Sequence, residues 1–127
     1  MKTKSAVSSN QIDFVFFGNM IDGVIGDYGA KKYKEKNLTF IYKGQFKDER
    51  FNGVGILTNL DKNITYSGNF IDGFLEGEGI IDGPEYEYVG EIKWNLEHGK
   101  GKKSYKGSIE GAYTEGEWYE GDPIGNH

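Results

Sequence analysis

The chain has no cysteine, which excludes disulfide frameworks, thiolate metal sites and thiol nucleophiles together. Alanine occurs only as Ala6, Ala30 and Ala112, and proline only twice. Helices select for alanine and are weakened by glycine, so this composition argues against a helical bundle. No apolar run approaches the roughly 20 residues of a spanning helix. Residues 1–10 carry positive charge but no apolar core, so no signal peptide is expected, and a cytoplasmic setting is the reading. What is plentiful is glycine and ring. Of 127 residues, 20 are Gly, about twice the usual share of roughly 7%. Seventeen more are Tyr or Phe and two are Trp. Disordered chains are poor in aromatics, and collagen needs glycine at every third residue. A β protein remains, in which the glycines need a physical reason.

The net charge of −5 is unevenly spread. Residues 1–43 sum to +3 and residues 44–127 to −8. An acidic body is a poor match for nucleic acid, whose phosphates are bound by Lys and Arg. It is equally poor for an anionic membrane surface.

The glycines fall on a grid. With Gly18, Gly44, Gly68, Gly90 and Gly116 as origins, the spacings are 26, 24, 22 and 26 residues. Two residues before stand Phe16, Tyr42, Tyr66, Tyr88 and Thr114; two after stand Met20, Phe46, Phe70, Ile92 and Trp118. Further glycines recur five, nine and eleven residues on, so four columns hold sixteen of the twenty. Aromatic-x-Gly-x-apolar has period 2, the pattern of a strand with one buried face. A strand glycine between two large residues leaves room for a ring from a neighbouring strand. Segments such as Lys47–Asn52 and Ile71-Asp72-Gly73 read as turns, after which Gly-x-Gly opens a second strand. One unit is therefore a β-hairpin, and hairpins that cannot stand alone must stack. Gly107 reads as a turn glycine before a short insertion, with Tyr105–Ile109 as an alternative strand start.

These units resemble MORN (membrane occupation and recognition nexus) repeats: Tyr-x-Gly-x-aromatic, a variable turn, then Gly-x-Gly. Tyr42-Lys43-Gly44-Gln45-Phe46 with Gly53-Val54-Gly55 matches that pattern, as does Tyr66-Ser67-Gly68-Asn69-Phe70 with Gly77-Glu78-Gly79. Tyr88-Val89-Gly90-Glu91-Ile92 with His98-Gly99-Lys100-Gly101 also fits. The first unit departs from it, with Asp27 in place of the first Gly of Gly-x-Gly, and the last has Thr114 for the aromatic. The resemblance implies one elongated, twisted antiparallel sheet of about five stacked hairpins, all-β. An irregular lead is expected over residues 1–13 and the array over 14–127, with units starting near 16, 42, 66, 88 and 114. It implies protein–protein contact or self-association; phospholipid binding, also associated with the family, is disfavoured by the acidic charge.

Little here supports catalysis. His98 precedes a glycine and reads as a turn residue, and His127 ends the sequence. One histidine among scattered acids is not metal-ligand spacing. The acids Glu76, Glu78, Glu85, Glu87, Glu91, Glu115, Glu117 and Glu120 read as a solvated face that discourages edge pairing. Gly-x-Gly opens strands and lacks the Lys-Ser/Thr of a phosphate loop. The reading is non-catalytic, with no cofactor and no metal.

Two surfaces are candidates for binding. The aromatics Tyr42, Tyr66, Tyr88, Trp94, Trp118 and Tyr119 either pack within the sheet or form an open groove for a partner. Trp94 shares the face of Ile92 if that strand continues, which makes it the leading contact residue. Lys31, Lys32, Lys34 and Lys36 form the one basic cluster, a solvated loop or an anion-binding patch. A protein-binding or scaffolding module follows, its partner another protein or a second copy. The alternative is a stand-alone inhibitor or small-ligand sequestering protein of the kind carried by phages or bacteria.

Overall fold

The computed structural model describes residues 4–7, 14–21, 24–107 and 111–124. It contains eleven strands: β1 (Lys4–Val7), β2 (Phe14–Ile21), β3 (Val24–Glu35), β4 (Leu38–Lys47), β5 (Arg50–Asn59), β6 (Ile64–Ile71), β7 (Phe74–Asp82), β8 (Tyr86–Lys93), β9 (Leu96–Tyr105), β10 (Tyr113–Tyr119) and β11 (Asp122–Ile124). They form one antiparallel sheet in strict chain order, and no helix occurs among the described residues. This is the stack of hairpins expected from the repeat. Within the lead 1–13, Lys4–Val7 is a strand paired with β2, and the other lead residues lie outside those described. Gly107 lies in the connection between β9 and β10.

The turns are tighter than the sequence suggested. In place of a turn over Lys47–Asn52, two residues, Asp48 and Glu49, reverse the chain, and β5 begins at Arg50. Both have positive φ (51° and 66°), the signature of the type I′ turn that matches strand twist. The pairs Lys36–Asn37, Asp72–Gly73, Trp94–Asn95 and Glu120–Gly121 do the same. Three of these turns lean on the preceding hairpin. The amides of Gly73, Asn95 and Gly121 donate to the carbonyls of Phe51 (2.9 Å), Leu75 (3.2 Å) and Glu97 (3.0 Å). Asn95 adds a second tie, its Oδ1 accepting from the Leu75 amide at 2.7 Å.

Gly-x-Gly does not open the second strand; it forms a bulge within it. Phe46 pairs with Phe51, but Gly44 pairs with Gly55, so β5 carries two extra residues opposite Gln45. The same shift occurs after Gly18, Gly68 and Gly90. Gly53 takes φ +100° in this bulge, where a side chain would be strained. The amide freed at Val54 is satisfied by Gln45 Oε1 at 2.8 Å, and Glu91 Oε1 serves Lys100 in the same way at 3.0 Å. Because of the bulges, the origin glycines and those eleven residues on fall into register. Gly18, Gly29, Gly44, Gly55, Gly68, Gly79, Gly90, Gly101 and Gly116 stand side by side on nine consecutive strands.

This row explains how one sheet buries a core with no second layer. The Tyr42 ring lies flat over Gly55 and the Tyr88 ring over Gly101, in space that a Cβ at either glycine would fill. Each hydroxyl donates to a backbone carbonyl three residues on, Gln45 at 2.7 Å and Glu91 at 2.8 Å. Phe51 stacks on Tyr42 with centroids 3.9 Å apart, while Phe46 and Phe70 meet it edge-on. At the other end Trp118 meets Tyr88 edge-on, and its indole N–H donates to the Gly101 carbonyl at 3.0 Å. Leu57, Leu75, Ile81 and Ile92 complete the buried face. Each such side chain contributes roughly 1.5–3 kcal/mol by leaving water.

Candidate functional site

Strand alternation gives the sheet an inner face, which holds this core, and an outer face. The inner face is open near β3–β6. There a trough of about 570 Å³ is lined by Tyr33, Phe40, Phe51, Leu57 and Tyr66, with Lys31, Lys36, Arg50, Glu35, Glu49 and Asp72 as its charged groups. Tyr33 and Phe40 stack at 5.3 Å, and Tyr33 meets Phe51 at 5.9 Å. The Lys31 ammonium lies 5.5 Å from the Tyr33 ring centre. Burial lowers the Lys31 pKa, opposed by the charge of Glu49, and burial raises that of Tyr33, helped by Glu35. Tyr66 is also raised, by burial and then by Glu97. The trough therefore offers half-buried rings with charges of both signs.

The aromatics picked out from the sequence separate into three groups. Tyr42, Tyr88 and Trp118 are 0%, 0% and 2% exposed, which removes them from any contact surface. The glycine row lets their rings lie down and cover one another, so the groove expected along the whole array is filled by its own side chains. Tyr66 is half-buried and lines the trough. Tyr119 and Trp94 are exposed, at 54% and 58%. Trp94 does not continue the strand of Ile92: β8 ends at Lys93, and Trp94 opens the following turn with φ 52°. Its ring is accessible, with the Lys93 ammonium 5.0 Å from its centre. Tyr119 faces His98, ring centres 5.4 Å apart; His98 is a strand residue of β9 rather than a turn residue.

The basic cluster is divided by the same alternation. Lys31 and Lys36 line the trough, whereas Lys32 and Lys34 are exposed on the outer face of β3. The four ammonium groups do not converge on one anion. Lysines of β9 and the connection after it take separate partners. Lys106 bridges Asp82 (2.7 Å) and the Gly83 carbonyl (2.8 Å), and Lys102 lies 4.3 Å from the Tyr113 ring centre.

Sequence reasoning missed Glu97, which is 4% exposed. Its Oε2 lies 3.0 Å from Lys103 Nζ, an attraction of charge without a directed hydrogen bond. The ammonium also sits 4.1 Å from the Tyr86 ring centre and 4.9 Å from that of Trp118. Burial, and then the charge of Glu97, pushes Tyr86 and Tyr88 up to about 12. The signal lay in the repeat. Seven and thirteen residues after the origin stand Phe51 and Leu57, then Leu75 and Ile81, then Glu97 and Lys103.

Among the described residues, no three His, Asp or Glu side chains gather as a metal site. Among them, too, no helix is long and apolar enough to cross a membrane. The family model for the MORN repeat matches residues 42–59, 66–85 and 88–108. No curated protein matches the chain.

Proposed function

From a chain that carries three consecutive MORN repeats, we propose a non-catalytic protein-binding module whose contact site is the inner trough at β3–β6. Repeats of this family are protein- and membrane-interaction modules and are typically non-catalytic. The observation that supports this site is the contrast along the inner face. Rings are sealed at Tyr42, Tyr88 and Trp118 but remain half-open at Tyr33, Phe40 and Tyr66. A segment of another protein would place an apolar side chain on those rings. Its charged groups would meet Lys31 and Arg50 or Glu49 and Asp72 along the trough.

A photo-crosslinking residue at Lys36, which lines the trough, or at Lys34, on the outer face, separates the surfaces. Capture of a different protein from position 36 but not 34, abolished by Tyr33→Ala in a folded chain, is the expected result. Capture that survives Tyr33→Ala, or arises only at position 34, overturns the trough as the site.

The trough volume favours one further reading. About 570 Å³ lies within the roughly 300–1,000 Å³ of small-ligand pockets. With three basic and three acidic residues around its rings, it suits a small aromatic ligand bearing both charges, the sequestering alternative. Native mass spectrometry of the purified chain shows a discrete added mass if so, and the bare chain mass if not.

A further inference from the structure

We infer that the outer face docks a second copy of this chain, outer face to outer face, about a two-fold axis parallel to the strands near the β5–β6 boundary. A sheet packed on one side only normally turns polar residues outward. Here Ile56, Ile80 and Val89 stand outward in mid-strand, 47%, 38% and 48% exposed. The register puts them in one row, Ile56–Ser67–Ile80–Val89 across β5 to β8, with Lys43 and Lys102 at its ends. Val54, 66% exposed, adjoins Ile56 on β5. Three of its four residues are apolar and β-branched, with the small Ser67 between Ile56 and Ile80, so the row can pack against a second sheet, as in a sandwich with layers roughly 10 Å apart.

Charge selects the occupant. On the outer face Lys32 and Lys34 of β3 and Lys43 of β4 lie on one side of the apolar row. Glu78 of β7 and Glu87 and Glu91 of β8 lie on the other. One surface thus carries both halves of a complementary pattern, which is the requirement of a two-fold contact. The axis at β5–β6 brings β3 over β8 of the second copy and β4 over its β7. In that arrangement Lys32 meets Glu87 of the other copy, and the Lys43 stem lies on its Ile80. Six strands at about 4.8 Å, each about 26 Å long, give a footprint on the order of 750 Å². A stable complex needs roughly 800 Å² per partner.

The test is sedimentation of the whole chain over a concentration series, with circular dichroism to confirm that each variant is folded. The wild-type chain is expected to dimerise, more weakly at high salt. Ile56→Thr with Ile80→Thr is expected to give a monomer. Lys32→Glu and Glu87→Lys singly should each weaken the dimer about tenfold, and the double reversal should restore it to within about threefold. A wild-type monomer at every concentration overturns the inference. So does a dimer indifferent to the threonine pair, or a double reversal no tighter than the singles. A dimer broken by Tyr33→Ala but not by the outer-face variants also overturns it, by placing the contact in the inner trough.

Discussion

Glu97 and Lys103 form an ion pair on the inner face at the two positions that Leu75 and Ile81 fill with hydrocarbon one repeat earlier. Both partners of an apolar contact have been exchanged for a matched pair of charges, walled by Tyr86 and Trp118. Removing one partner strands the other in a buried site, which typically costs about 3–5 kcal/mol, whereas replacing both with hydrocarbon is often neutral or stabilising. Lys103→Ile alone is therefore expected to lower the urea midpoint strongly. Glu97→Leu with Lys103→Ile should recover wild-type stability or exceed it. A double variant no better than the single would show that the site cannot be packed as Leu75 and Ile81 are.

The two tryptophans should behave oppositely. Trp118 is buried, stacked edge-on to Tyr88 and hydrogen-bonded to Gly101, so Trp118→Ala is expected to cost about 3–5 kcal/mol. Trp94 is exposed and held at positive φ in a turn position that favours asparagine or glycine. Trp94→Asn should raise stability by up to about 1 kcal/mol. Parallel denaturation curves decide it; a destabilised Trp94→Asn chain would mean that the ring contributes to packing.

Space over the glycine row predicts a graded response. Gly55→Ala places a methyl where the Tyr42 ring lies, and Gly101→Ala does so under Tyr88. Each is expected to cost at least about 2 kcal/mol through displaced rings. Tyr42→Phe keeps the ring and loses only the hydrogen bond to the Gln45 carbonyl, about 1 kcal/mol. The two Ala variants should therefore unfold well below Tyr42→Phe. The reverse order would contradict the flat placement of the rings.

Alkaline pH should unfold the chain from its tyrosines. Burial pushes Tyr42, Tyr86 and Tyr88 up to about 12, above the ordinary value of 10.0. The folded state then holds protons that the unfolded state has released, so stability is fully present below pH 10 and falls as the pH rises towards 12. Phenolate absorbance and circular dichroism followed together check this. The buried tyrosines should ionise only as the sheet signal is lost. Phenolate from every tyrosine in one step before any loss of structure would refute this.

The strands were legible in the sequence because Tyr42, Gly44 and Phe46 alternate at period 2, and the stack because the alternation recurs. The bulges were not. A two-residue turn at Asp48–Glu49 would pair Gly44 with Gly53, and only the two extra residues in β5 move its partner to Gly55. Without that register, the row of glycines and the rings lying over it stayed hidden. Tyr42, Tyr88 and Trp118 then read as core or as open groove, with core the stronger reading. The trough was half-visible for the same reason. Lys31 and Lys36 were noticed as charge, but their separation from Lys32 and Lys34 depends on the face each strand position takes. The Glu97–Lys103 pair was written in the repeat offsets, yet it emerges only when the three units are compared column by column.

Nine adjacent strands meet at positions that carry no side chain on the inner face. Along this line the strands carry no side chains of their own, and the Tyr42 and Tyr88 rings lie across it. The line crosses β2 to β10 at one height, with turns at both ends of the strands it crosses. A bend at this line would act on nine strands together and not strand by strand. A methyl group added at Gly44, Gly55, Gly90 or Gly101 would push against a ring or the neighbouring backbone and so disturb the line locally.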